Sequence, residues 1–374
     1  MTTGPRLAGE VDVVVVGGGQ AALAVGYYLQ RARRADGLSF VLLDAGATAG
    51  GAWVHGWDSL QLFSPAGFSS LPGWPMPVWT GSGNPSADHV RRYLVAYEDR
   101  YQLPVRRPVR ALRTRRVGGG FDVDTDKGVW RGRVLVSATG SWGRPFWPTV
   151  PSAALFGGQQ VHVASYRRAE DFEGQTVLVV GGGNSGAQVA ADLSGRRRGR
   201  TVWVTRRPPR FLPDDVDGRV LFELATRRVR AAAAGRQEPG VGGLGDIVMV
   251  PSVLAARRRG DLRAEPMFDR FTATGAAWET SGRKLDVDTV VWCTGFRPDL
   301  RHLSGLPLTR RDGRPVTDPT LPSRSVDDPR LFFVGYGDWC GPASATLIGV
   351  GAPARATVEA ALTQLPFGSA SAAG

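Results

Sequence analysis

Several residue types are scarce in this chain of 374 residues, and each shortage removes a class of chemistry. The two cysteines, Cys293 and Cys340, stand 47 positions apart with no C-x-x-C. That spacing argues against a zinc site or a dithiol redox pair and suits a reduced, cytoplasmic protein. Four histidines form no evident triad or ligand cluster, so no metal is expected. The only asparagines are Asn84 and Asn184. Lysine occurs twice against 44 arginines, for a net charge of +12, yet the arginines are scattered in pairs and triplets with no basic stripe interleaved with aromatics. This pattern reads as a solvated basic surface that attracts anionic cofactors, not as a nucleic-acid-binding face. No apolar run approaches 18 residues, the run at 11–16 ends in glycines without a basic lead-in, and the tail after Phe367 is small and polar. Neither a membrane anchor nor a signal peptide is expected.

Glycine, by contrast, occurs 50 times, and two clusters of it organise the chain. The length exceeds one hydrophobic core, and 42% hydrophobic with 21% charged residues describes a globular protein of two domains. Residues 12–16 read as a buried strand, followed by Gly17, Gly19 and Ala22 as G-x-G-x-x-A, with Gln20 and Ala21 opening a helix predicted over 20–33. In such a turn the first glycine permits the sharp bend, the second lets backbone approach a pyrophosphate, and the third position lets helix and strand pack closely. The next strand is read at 40–43, and Asp44 stands where an acid grips a ribose hydroxyl. A helix is predicted over 89–100 and strands near 105–114, 121–125 and 129–137, running into Ala138-Thr139-Gly140.

The plan then repeats. A β-branched run at 176–180 leads into Gly181, Gly183 and Gly186 as G-x-G-x-x-G, with a helix from Asn184-Ser185. A strand at 201–205 and strands over 271–278 and 284–291 follow, ending at Cys293-Thr294-Gly295. The expected fold is α/β, a two-dinucleotide-binding-domain flavoprotein. A Rossmann-like FAD domain spans 1–165 and 293–374, with an NADPH domain inserted at 166–292. The first domain is discontinuous because the chain continues past Gly295 into the strand pattern at 331–335, Gly337-Asp338 and a helix from about Pro342. The strand ends assign the two sites: Asp44 suits the unphosphorylated ribose of FAD, whereas Arg206 and Arg207 suit the 2′-phosphate of NADPH. The same arginines also read as two more surface cations.

Phe156, Gly158, His162 and Tyr166 stand at F-x-G-x-x-x-H-x-x-x-Y spacing, ending ten residues before the second glycine strand. Taken singly, Phe156 fills a core, Gly158 turns the chain and His162 is a hydrogen-bonded linker histidine. As a set they resemble the fingerprint of the class B flavin-containing monooxygenases. Gly50-Gly51-Ala52-Trp53 resembles the G-G-x-W that lies along the flavin there, and the stretches 57–77, 246–251 and 335–349 are similar to flavin monooxygenases of bacterial arsenic-resistance clusters. The resemblance spans nearly the whole chain. It implies further FAD contacts at Phe63, Ser64, Val109 and Asp338, and places the N-terminus of the helix after Asp338 against the flavin's pyrimidine edge. The chain departs from animal and methylotroph enzymes where they carry an asparagine about 20 residues after G-G-x-W; here Phe63-Ser64-Pro65 occupies that region.

The function implied is an FAD-containing, NADPH-dependent monooxygenase that forms a C4a-hydroperoxyflavin and oxygenates a soft nucleophile (S, N, Se or As) in a small molecule. The flavin carries the chemistry, which fits a chain poor in acid–base groups. A small-molecule substrate and O₂ are the expected partners, without nucleic acid or membrane, and a homodimer is left open. Two rivals stand: an NADPH-dependent flavin reductase or oxidase without oxygen insertion, and a redox sensor that binds FAD and NADP(H) without turnover. His162, at the end of one of two interdomain crossings, is expected to act on coupling.

Overall fold

A computed structural model of the chain describes residues 6–196, 198–214, 216, 220 and 247–366. Buried β-branched runs alternating with helical segments produce two sheets covered by helices, the first mostly parallel and the second wholly so. The first is built on β1 (Leu7–Val16), whose last four residues, all valine, are buried. Strands β2 (Phe40–Leu43) and β3 (Val105–Arg106) continue in parallel on one side of it. On the other side lies β6 (Gly128–Ser137), in register from Val13↔Val134 to Val16↔Ser137. The antiparallel β4 (Ala111–Val117) and β5 (Gly120–Thr125) extend from the first half of β6, and β17 (Leu331–Phe333) pairs in parallel with its end.

The second sheet has the order β10-β9-β8-β14-β7. Its strands are β7 (Gln159–His162), β8 (Thr176–Val180), β9 (Arg200–Thr205), β10 (Ala264–Pro266) and β14 (Thr289–Trp292), all parallel. A three-stranded antiparallel sheet of β11 (Arg270–Phe271), β12 (Gly275–Trp278) and β13 (Arg283–Asp286) flanks it, and β15 (Arg310–Arg311) pairs with β16 (Arg314–Pro315). Helices α1 (Gln20–Asp36), α2 (Ala87–Tyr101) and α5 (Gly351–Leu362) bury Leu23, Tyr97 and Val358 in the first sheet's main core. Helices α3 (Asn184–Ser194) and α4 (Pro251–Arg259) bury Val189 and Val253 in the second.

The structure departs from the sequence expectations in four places. The strand expected at 105–114 is two strands in different registers, because Pro108 has no amide hydrogen to continue a ladder. The strands expected at 271–278 and 284–291 are each split. Thr272 and Gly275 close a tight hairpin, and the chain changes sheets between Val287, whose amide bonds Thr274, and Asp288, whose amide bonds Thr176. The helix expected from Pro342 begins at Gly351 instead, because Gly341 (φ 133°) and Ala343 (φ 54°) adopt left-handed conformations that no α-helix continues. Finally, β7 lies ahead of the boundary expected at 165/166 yet is an edge strand of the second sheet, with Val161 and His162 opposite Val291 and Trp292. Asp246, the first residue of the 246–251 stretch, lies outside the described residues, as does the tail from 367.

Candidate active site

Each of the two helix-covered sheets carries a glycine turn at the carboxyl end of its central strand, and the two turns are built alike. A side chain on Gly17 would place its Cβ 2.3 Å from the Ala138 carbonyl oxygen, and one on Gly181 would stand 2.2 Å from that of Cys293. The strand across the turn therefore admits only glycine, at φ of 134° and 144°. Among the described residues, the only atom within 4 Å of a Cβ added at Gly19 is Gly51 Cα at 3.7 Å, and at Gly183 there is none. These are the faces a pyrophosphate needs open.

The helix starts support the same reading. Helix α2 is capped in the usual way: the Ser86 side chain accepts from the His89 amide, with Asp88 in the first turn. Helices α1 and α3 start at Gly19 and Gly183 with neither a side-chain cap nor an acid in the first turn. Their first amides and positive dipole ends are left for an anion.

A cleft of about 910 Å³ opens in front of the first turn, at the upper end of the roughly 300–1,000 Å³ range of ligand pockets. Of the expected FAD residues, Gly17, Gly19, Gln20, Ala21, Asp44, Gly51, Ala52, Trp53, Val109, Ala138, Thr139 and Gly140 all line it. The open glycine face, the uncapped helix and this volume fit a dinucleotide. Gln20 ties three walls together: its Oε1 accepts from Trp53 Nε1 at 3.0 Å and its Nε2 donates to the Ala345 carbonyl at 2.8 Å. Asp44 is held over the turn, its Oδ1 accepting from the Gly46 amide and its Oδ2 from Arg107 Nε, both at 2.9 Å. Arg107 is fixed in turn by a two-pronged bond to Glu98. Each Asp44 oxygen keeps a lone pair for a hydroxyl donor.

Four expected residues stand off the cleft wall. Ala22 is fully buried. Phe63 packs against the second sheet's core, and Ser64 shares a hydrogen bond with Ser69. Asp338 accepts from the Ala343 amide and so holds the turn between β17 and α5.

At the second turn, Gly182 faces the end of β9: an added Cβ would be 3.5 Å from Thr205 Cβ and 3.9 Å from the Arg207 carbonyl oxygen. Asp44 occupies the corresponding place beside Gly18. Arg206 and Arg207 are exposed and form no ion pair among the described residues. Asn184 Oδ1 accepts from the Val248 amide, pinning the 247–250 segment to the start of α3, while Gly186 lies so close to the Gly181 carbonyl that a Cβ would come within 2.1 Å.

The two crossings between the sheets run side by side. Phe146 N donates to Gly295 O, Arg297 N to Arg144 O, and Thr294 Oγ1 to Phe146 O. His162 completes this junction. Its Nδ1 accepts from the Ala164 amide at 3.1 Å, so the proton sits on Nε2, which donates to Gly295 O at 3.2 Å. Burial lowers the His162 pKa and keeps the ring neutral. Its ring also lies within a series of aromatic contacts: His55 stacks on Trp142, Trp142 on Phe296, and Phe296 meets His162 edge-on at 5.1 Å. Phe156 stacks on Phe271, Gly158 passes close to Phe156 and the Asp288 carbonyl, and buried Tyr166 donates to Asp192 at 2.6 Å. Both cysteines are buried, and burial pushes each thiol above its ordinary range.

Sequence reasoning missed His55, Trp142, Asp299, Arg301 and His302, all on the cleft wall. None sits in a motif. The available signal was proximity in the chain: each lies within a few residues of Trp53, Gly140 or Gly295.

A family profile described as pyridine nucleotide-disulphide oxidoreductase matches residues 14–221, more than half of the chain. A flavin-containing monooxygenase from Stenotrophomonas maltophilia has a solved structure that superposes with a TM-score of 0.83 at 46% identity, covering 95% of this chain and 98% of that one. An uncharacterised CzcO-like oxidoreductase of Geobacillus kaustophilus is 27% identical over 92% of this chain and 96% of its own length. A probable indole-3-pyruvate monooxygenase of Arabidopsis thaliana is 25% identical over 86% of this chain and 84% of its own.

Proposed function

The chain belongs to the flavin-containing monooxygenases within the pyridine nucleotide-disulphide oxidoreductase family, and on that premise we propose that it inserts one atom of O₂ into a small molecule at a soft nucleophilic atom, sulfur, nitrogen, selenium or arsenic. As a flavin monooxygenase it works with FAD and NADPH. Bound flavin would supply the redox chemistry, accepting electrons from NADPH and activating O₂.

The protein's part is to bind, orient and exclude water. The first glycine turn with Asp44, Gly51, Ala52, Trp53, Val109 and residues 138–140 is assigned to FAD, supported from behind by Ala22, Phe63, Ser64 and Asp338. Gly181, Gly183, Asn184, Ser185, Gly186, Arg206, Arg207, Thr294 and Gly295 are assigned to the NADPH side. The discontinuous domain division expected from the sequence is kept, with its first boundary moved ahead of β7.

The observation that carries this reading is the contrast in charge beside two like-built turns: a clamped carboxylate at the first, and at the second exposed guanidinium groups with no ion pair among the described residues. An unphosphorylated ribose suits the first and a 2′-phosphate the second. Stopped-flow spectroscopy tests the whole. NADPH should bleach the bound flavin under anaerobic conditions, and O₂ should then give a species spectrally distinct from both reduced and oxidised flavin. Direct reoxidation would indicate a reductase or oxidase, and no bleaching a protein that only binds.

A further inference from the structure

At the cleft wall the ends of β6 and β17 and the turn at Arg301–Leu303 are joined by a chain of four polar side chains, of which only Thr139 has been assigned to FAD. The direction of every proton in it follows from one end. The Asp299 carbonyl can only accept, so Thr139 Oγ1 donates to it at 2.6 Å. With that proton committed, Thr139 Oγ1 accepts from the Tyr336 hydroxyl at 2.7 Å. The Tyr336 oxygen then accepts from the Thr139 amide at 3.1 Å and from Ser137 Oγ at 2.5 Å. Ser137 in turn accepts from His302 Nε2 at 3.1 Å. His302 is therefore protonated at Nε2. Burial pulls its pKa down to about 4, so the ring is neutral and Nδ1 carries a lone pair.

That Nδ1 has no hydrogen-bond partner among the described residues, and His302, only 3% exposed as a residue, lines the cleft. A lone pair left accessible at a ligand cleft selects a donor and repels phosphate oxygens. The neighbouring Ala138 carbonyl lies against Gly17, so the groups expected here adjoin the pyrophosphate, where a dinucleotide carries its sugar and sugar-alcohol hydroxyls. We propose that His302 is a positioning residue whose Nδ1 accepts a hydrogen bond from a hydroxyl of bound FAD, its tautomer locked by the Ser137–Tyr336–Thr139 chain. This rests on the assignment of the cleft to FAD.

The test titrates FAD-free protein with FAD, following the quenching of flavin fluorescence, beside the melting temperature of each FAD-free variant. Wild-type protein must bind; if it does not, the assignment of the cleft fails rather than this inference. In His302→Gln the side-chain amide reaches the Nε2 position and keeps the bond to Ser137 but loses the Nδ1 acceptor. Its Kd should rise about five- to tenfold, the loss of roughly one hydrogen bond, with little change in melting temperature. In His302→Asn the amide oxygen replaces Nδ1 while the link to Ser137 is lost. Kd should stay within about twofold of wild type as the melting temperature falls. Unchanged affinity in both variants, or a greater loss in Asn than in Gln, overturns the proposal. Should the Gln variant not fold, the Asn variant decides: retained affinity supports the acceptor role and lost affinity overturns it.

Discussion

At the scale of single residues, the two glycines of the first turn should fail differently when replaced. Gly17→Ala forces a Cβ onto the Ala138 carbonyl at φ 134°, strain on the order of 1–3 kcal/mol before the clash is counted, so the protein should be destabilised with or without ligand. Gly19→Val fills only the open face of the cleft. It should purify colourless, with FAD-free stability near that of wild type; yellow, FAD-loaded protein would contradict the assignment of the site. His302 sets a pH dependence. Its folded pKa of about 4 lies below the ordinary value of 6.5, so the unfolded chain binds the extra proton first. The stability it confers is complete above pH 6.5 and is lost as the pH falls towards 4, by up to about 1.4 kcal/mol per pH unit. Urea unfolding of the FAD-free protein from pH 7 to 4.5 should show this slope, and His302→Gln should flatten it. The glycines were legible in the sequence because a spacing identifies them. His302 was not, since only the folded chain brings it to Ser137.

Among the elements, β2 and β8 have the predicted bounds, and α1 and α3 start where their glycine turns end. The errors fall where a local break such as Pro108 or Ala343 interrupts an element, or where a partner ends it, as at Asp288, whose amide leaves the hairpin for β8. The end of β9 carries a prediction of its own. Replacing Arg206 and Arg207 with Ala removes charge-assisted contacts worth about 1.5–3 kcal/mol each, so kcat/KM for NADPH should drop at least tenfold while that for NADH barely moves. Equal losses for both nucleotides would refute a 2′-phosphate site. The paired crossings carry another. His162→Ala removes one of the bonds to Gly295 O and the edge contact with Phe296, leaving the Phe146 bond in place. FAD should be retained and NADPH still consumed, with several times more hydrogen peroxide released per NADPH; unchanged coupling would reduce His162 to a packing residue.

For the molecule as a whole, the repetition of glycine turn, helix and T-G was visible in the sequence, and with it the fold of two dinucleotide-binding sheets. The aromatic series from His55 to His162 was not, because its members come from three separated segments. Among the described residues no helix is long and apolar enough to cross a membrane, and no cluster of three or more His, Cys, Asp or Glu could hold a metal. What the two sites do together is the central claim, and isotope transfer tests it most directly. The enzyme would be given NADPH, ¹⁸O₂ and a panel of soft nucleophiles, an aryl methyl sulfide, a primary amine, an organoselenide and a trivalent organoarsenical, with products analysed by mass spectrometry. The account predicts one ¹⁸O atom in the oxidised product of at least one member, formed in proportion to NADPH consumed. NADPH consumption that yields only labelled hydrogen peroxide across the panel, at the rate seen without substrate, would contradict it.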